Sequence, residues 1–252
     1  MRILVIAAFL LGSAASAEPP AGSPPGIVTA VAMTDRPASA SALDDSRKPV
    51  EVLKFLGLKR GDRVLDVMTG SGYYAEIIGN AIGSKGTVAA LEPVVFADAK
   101  SRAEFAALTG RVPNVKLVEA MPGDFAPPPN SVDFTLMHLV YHDLYWASDK
   151  YRFPRMDPAA FLKRLYTATK PGGIVGVVDH AASPGGDTRA VVDKLHRIDP
   201  AVVKADFARA GFKLEAESDL LKVAGDDHSK TVFDPALKGK TDRFVMRFRK
   251  PA

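Results

Sequence analysis

Along the chain, short apolar runs alternate with segments of helical apolar spacing. Pro49-Val50-Glu51-Val52-Leu53-Lys54-Phe55-Leu56 carries the helical pattern and stops at Gly57. After a Gly61-Asp62 turn, Arg63-Val64-Leu65-Asp66-Val67 reads as a short strand. The same alternation predicts helices over 73–82, 96–108, 158–169 and 200–210. It predicts strands over 86–91, 115–118, 132–137, 174–178, 213–217 and 243–248. Pro171-Gly172-Gly173 closes the 158–169 helix as a turn, and Gly211 closes the last helix. The interior strands are apolar without strict alternation, which marks a mostly parallel sheet covered by helices on both faces. Two stretches, 139–157 and 218–241, lack regular signals. Long irregular segments of this kind in an α/β domain are usually covers or binding loops.

Composition adds little to the fold but bounds the partners. The chain has 252 residues, 47% hydrophobic and 25% charged, enough for a sizeable core. The formal net charge of +4 is small and spread along the chain, so no nucleic-acid partner is implied. The basic Arg243–Lys250 stretch reads as a last strand with outward-facing Arg and Lys. Residues 1–17 read as a cleavable signal peptide. Met1-Arg2 gives a positive start, Ile3 to Leu11 an apolar stretch too short for an anchor, and Ala15-Ser16-Ala17 the small residues before the cut. Residues 18–43, rich in Pro, Ala and Ser, read as a flexible leader with room for a short helix near its end, and 44–252 as the folded domain. A periplasmic or secreted protein without stable membrane insertion is expected. The chain has no cysteine, which removes disulfides, thiolate metal sites and lipid attachment at a cysteine. The oligomeric state is left open.

The candidate chemistry begins at Asp66-Val67-Met68-Thr69-Gly70-Ser71-Gly72, between a strand and a helix. Glycines there allow a tight turn and close approach of a ligand, and the helix start directs free N–H groups at the same space. Glu92 ends the next strand, where an acid can accept bonds from both hydroxyls of a ribose. A nucleoside-type cofactor fits this pair. A dinucleotide domain would use similar elements, but the C-terminal half, with two final strands joined by a long loop, is not how such a domain ends.

The segments VLDVMTGSGYYAE, AALEP, SVDFTLMHLVYHDLYW and ATKPGGIVGVVDH resemble motif I, the following acidic motif, the strand-4 region and the strand-5 entry of class I S-adenosylmethionine-dependent methyltransferases. With RKPVEVLKFLGLKRGDRVLDV, LHRIDPAVVKADFARAGFKL and KTDRFVMRFRKP, the chain over about 44–251 is similar to a bacterial group of often exported methyltransferases of unsettled substrate. The resemblance implies a doubly wound, Rossmann-like sheet of seven strands and S-adenosylmethionine as cofactor. It implies that Asp66, Met68, Gly70, Gly72, Tyr73 and Glu92 line the cofactor. Met68 stands where the family's first glycine is usual, and either Glu119, Asp124 or neither meets the adenine.

The resemblance also places the end of strand 4 beside the transferred methyl group. Tyr141, His142 and Asp143 lie there, with His142 and Asp143 as a candidate base and its neighbour, and His180 ends strand 5. His138, four residues before His142, has helical ligand spacing but sits in a strand, so no metal site is expected. Tyr141, Tyr145 and Trp146 are candidates to wall an organic acceptor. Two functions follow: transfer of a methyl group to a small or lipid-like acceptor, or an exported binding or sensory protein that keeps the fold without turnover. Met68 and export favour the second; Glu92 and the polar groups after strands 4 and 5 favour the first.

Overall fold

The computed structural model describes residues 26–252; the expected signal peptide and the first part of the leader lie outside them. Seven strands form one sheet: β1 (Arg63–Val67), β2 (Thr87–Glu92), β3 (Val115–Glu119), β4 (Val132–His138), β5 (Thr169–His180), β6 (Lys213–Ser218) and β7 (Arg243–Arg249). Their order is β3-β2-β1-β4-β5-β7-β6. The pairs from β3 through β5 are parallel. β7 runs antiparallel to both β5 and β6, as a hairpin return wedged between two strands that point the same way. Helices pack in two core layers against the sheet, so the central strands are buried on both sides and read as unbroken apolar runs.

Nine helices were found among the described residues: α1 (Ile27–Val31), α2 (Ala38–Ser41), α3 (Asp44–Arg47), α4 (Pro49–Leu56), α5 (Tyr73–Ile82), α6 (Ala99–Arg111), α7 (Pro158–Ala168), α8 (Thr188–Leu195) and α9 (Pro200–Arg209). One core layer packs Leu53, Leu56, Ile77, Ile78 and Ile82 against Val64, Phe134 and Val178. The other packs Leu65, Val67, Met137 and Val177 against Phe161, Leu165, Phe207 and Phe248. Local chemistry starts the helices where expected. Asp157 and Asp199 cap the backbone N–H groups of α7 and α9, each followed by a proline at the first helical position.

Three expectations change. Residues 26–43, read as part of a flexible leader, contain α1 and α2. Ala30 is fully buried, α1 packs on α4 and α5, and Arg36 is fixed by two 2.8 Å bonds to Asp44. These helices are too short to persist alone, so their docking decides. The expected Pro171-Gly172-Gly173 turn lies inside β5, because Gly172 N–H donates to Lys250 O and Lys250 N–H to Gly173 O. The helix expected from Phe96 starts at Ala99, where Asp98 and Ser101 form a reciprocal cap. Helix α8 carried no clear sequence signal, since only Val192 of its eight residues is buried.

Candidate functional site

The carboxyl ends of the parallel strands lie on one edge of the sheet, the edge where ligands bind in open α/β folds. Between β1 and α5 the backbone turns through Gly70 at φ 58° and Gly72 at φ 80°. The two glycines serve different ends. A Cβ on Gly72 would lie 2.5 Å from Leu108 Cδ1, so close packing of α6 demands glycine there. A Cβ on Gly70 would meet nothing within 4 Å, so that glycine faces open space. Met68 holds φ 52° and Leu139, after β4, holds 60°. Both non-glycine residues flank the same cleft in the left-handed region, a strain of about 1–2 kcal/mol each. The Met68 side chain nevertheless sits in the core with Leu91 and Met137, where its burial offsets the strain.

The cleft between the turn, β4 and α3 has a volume of ≈ 200 Å³ and is lined by Arg47, Asp66, Thr69, Gly70, Tyr74 and His138, among others. Asp66 accepts a 2.6 Å bond from the Thr69 hydroxyl. Burial pushes its pKa up to about 6, against that hydrogen bond and the nearby Arg47 charge. Glu92, at the end of β2, accepts a 2.9 Å bond from Gly70 N–H. Burial, and less strongly the charges of Asp66 and Glu119, push it up to about 7. Glu119 is engaged by Arg102 through two bonds of 2.7 and 2.8 Å, and Asp124 is exposed.

The second part of the site lies beyond β4 and β5. A 3-10 turn over His142–Leu144 buries His142 beside Asp179 at the end of β5. Asp179 is fully buried and accepts from His142 N–H (2.8 Å), from His142 Nδ1 (2.8 Å) and from His180 N–H (2.7 Å). Asp143 faces the other ring nitrogen at 3.4 Å. Burial alone would lower the His142 pKa, but the Asp179 and Asp143 charges outweigh it and raise it to about 9. His180 behaves oppositely. Burial pulls it down to about 3, more than Asp179 raises it, and its Nδ1 lies 2.7 Å from the Thr241 hydroxyl. The two shifts favour the charged ring for His142 and the neutral ring for His180, so His142 would have to release a proton to Asp179 or to solvent before serving as the base expected of it.

Tyr141 departs from expectation too. Its ring is fully buried against Phe207, and its hydroxyl donates to Asp206 of α9 at 2.7 Å. It faces the core and not the cleft, because the turn after β4 sends residues 141 and 142 to different neighbours. Tyr73, expected at the cofactor, lines the cleft with its hydroxyl bonded to Asp44. Tyr145 also donates to Asp206, whereas Trp146 joins a chain of aromatic contacts from Phe96 through Phe153, Trp146 and His196 to Phe233. Among the described residues no group of three or more His, Cys, Asp or Glu side chains could hold a metal ion. His138, expected to border the pocket after strand 4, lines the cleft, as do Arg47 and Tyr74, which had not been singled out; Arg47 belongs to a four-residue helix whose pattern is too short to register.

Known proteins agree with this architecture. The sequence model of the protein-L-isoaspartate(D-aspartate) O-methyltransferase family matches residues 39–121, the stretch from α2 to just past β3. A SAM-dependent methyltransferase from Aquifex aeolicus superposes with a TM-score of 0.57 at 22% identity, over 84% of this chain and 97% of its own. The chain has the fold of class I S-adenosylmethionine-dependent methyltransferases. The Burkholderia thailandensis 1,6-didemethyltoxoflavin-N1-methyltransferase, solved with 1,6-didemethyltoxoflavin and S-adenosylhomocysteine, shares this methyltransferase fold. Its TM-score is 0.53 at 16% identity, over 85% of this chain and 79% of that one. So does the [4+2]-cyclase SpnF, with a TM-score of 0.55 at 19% identity, over 85% and 82%. No curated protein matches the sequence.

Proposed function

We propose that this chain is an S-adenosylmethionine-dependent methyltransferase acting on a small or lipid-like acceptor. The observation that carries the reading is the turn from Asp66 to Gly72 facing open space at Gly70, with the Glu92 carboxylate hydrogen-bonded to it from the neighbouring strand. These groups fit a nucleoside with an amino-acid end: Glu92 would hold the ribose hydroxyls, and Asp66 with the backbone of the turn would hold the amino-acid end. When bound, S-adenosylmethionine supplies an electrophilic methyl group. The chain's own part is to align an acceptor and, where the acceptor carries a proton, to take it. Burial keeps the His180 imidazole uncharged, while His142 contributes a positive charge held by Asp179 and Asp143. The aromatic chain from Phe96 to Phe233, with both ends exposed, supports an apolar acceptor. No helix among the described residues is long and apolar enough to cross a membrane.

Titration with S-adenosylmethionine, S-adenosylhomocysteine and NAD tests the cofactor: binding of the first two and not NAD is expected. Incorporation of labelled methyl into a lipid or small-molecule extract then tests turnover. Binding without incorporation would favour the second reading, a binding or sensory protein, which the strained Met68 supports and which the existence of a [4+2]-cyclase on this fold makes reasonable. Export through a signal peptide cut after Ala17 is part of the proposal. Mass spectrometry of the exported protein should show a start at Glu18, and retention of Arg2 would overturn it.

A further inference from the structure

Four of the six large apolar side chains exposed among the described residues lie in three loops at the carboxyl edge of the sheet. Val94 and Phe96 follow β2, Tyr151 follows β4 and Phe233 precedes β7; the other two, Val28 and Leu214, lie on α1 and β6. Ring contacts join the loops into one face. Phe96 stacks on Phe153 at 5.5 Å, Phe153 and Tyr151 both meet Trp146, and Trp146 reaches Phe233 through His196. Phe233 is 67% exposed and Tyr151 49%, so the outer side of each ring stands in water. Tyr151 sits at the tip of a tight hairpin. Ser148 and Phe153 exchange two 2.9 Å backbone bonds, and the turn closes through Arg152 in the left-handed region at φ 52°. The tip reads Asp149-Lys150-Tyr151-Arg152, exposed throughout, with exposed Arg155 just beyond. The Lys150 ammonium lies 5.0 Å from the centre of the Tyr151 ring, and neither Lys150 nor Arg152 forms an ion pair with a described residue. Against these three cations the segment sets one acid, Asp149.

We propose that this face, with the Lys150–Arg152 hairpin tip at its centre and Phe96 and Phe233 at its flanks, docks the protein on the surface of an anionic phospholipid bilayer. Aromatic rings settle at the level of lipid headgroups, with the ring in the apolar boundary and its polar edge wet. Cations on either side of such a ring meet the negative headgroups while their stems cover apolar surface. The same charges disfavour a second copy as occupant, because a symmetric contact through this tip would bring Lys150 and Arg152 against their counterparts. The face adjoins the site: the His196 ring that links Trp146 to Phe233 lies 5.5 Å from the His142 ring. Docking there turns the strand ends toward the bilayer, which goes beyond the methyl-transfer reading and stands without it.

Co-sedimentation with vesicles tests the face, using the chain from Glu18, which keeps every described residue and removes the apolar Ile3–Leu11 stretch. S-adenosylmethionine is left out, so the result is separate from methyl transfer. Binding to phosphatidylcholine mixed with phosphatidylglycerol is expected, weakened by added salt, with little binding to phosphatidylcholine alone. Lys150→Gln and Arg152→Asn should each weaken it about fivefold, asparagine being at ease in the left-handed backbone that Arg152 holds. Tyr151→Ser combined with Phe233→Ser should weaken it about tenfold and leave the melting temperature unchanged, because both rings already stand largely in water. Trp146 is the chain's one tryptophan and lies in this face, so its emission should shift to the blue on docking and become shielded from acrylamide. Equal binding to neutral and anionic vesicles would overturn the proposal, as would binding that ignores all four substitutions or leaves Trp146 unchanged. Absence of vesicle binding would overturn it too; a dimer that Tyr151→Ser dissociates in analytical ultracentrifugation would then assign the face to a second copy.

Discussion

Asp179→Asn isolates the interaction on which the charge state of the site depends. The wild-type carboxylate is fully buried and receives three donors, two from His142 and one from His180 N–H. Asparagine keeps the shape but removes the charge and turns an NH₂ group toward at least one existing donor. Removing one partner of a buried pair costs about 3–5 kcal/mol. The His142 side gives a similar figure, since a rise from 6.5 to about 9 corresponds to about 3 kcal/mol of preference for the charged ring. In the variant, burial should win over Asp143 alone, and His142 should titrate below 6.5. The pH dependence has two limbs. The His142 pKa is raised on folding, so its contribution is complete below 6.5 and lost as the pH climbs through about 9. Asp179 is lowered on folding, burial being outweighed by His142, so its contribution is present above the ordinary 3.8 and lost in more acid solution. The stability gap between wild type and variant should therefore be widest between about pH 4 and 6.5 and narrow towards pH 9. Urea titrations across this range measure the gap, and histidine ring NMR measures the titration directly. A His142 pKa that stays near 9 in Asp179→Asn would refute the assignment of its charge to Asp179.

Glu92→Ala should weaken S-adenosylhomocysteine binding by about 1–3 kcal/mol with the circular dichroism unchanged, and equal affinity in calorimetry would remove Glu92 from the site. Gly72→Ala should cost about 2–4 kcal/mol in urea unfolding, combining a left-handed backbone with a methyl 2.5 Å from Leu108 Cδ1. Gly70→Ala should cost only about 1 kcal/mol, yet lose more cofactor affinity, because its methyl enters open space reserved for the ligand; the reverse ranking of the two glycines would contradict the assignment of their roles. Tyr141→Phe should lower stability by about 1–2 kcal/mol through the lost Asp206 bond, with turnover per folded molecule unchanged; a stable but inactive variant would return Tyr141 to the site.

Much of the architecture was legible from local pattern. The strand at 63–67 and the helix at 73–82 coincide with β1 and α5, because an apolar run bounded by turn residues and a helix begun after glycines are properties of a few adjacent residues. The same holds for the turn through Gly70 and Gly72 and for Glu92 at the end of β2, which adjacent residues place at the sheet edge where the proposed cofactor would sit. What the chain could not show by itself was anything set by residues distant in sequence meeting in space. The segment at 26–43 is Pro- and Ala-rich, and only burial of Ala30 and the Arg36–Asp44 pair makes it part of the domain. Tyr141 and His142 are neighbours in the chain with similar prospects as catalytic groups. The turn after β4 gives one to Asp206, 65 residues away, and the other to Asp179, 37 residues away. Their charge states, and the opposite ones of His142 and His180, follow from burial and from which carboxylate lies within about 3 Å. No sequence pattern encodes those two quantities, because both depend on how the strands, once paired, stack their ends.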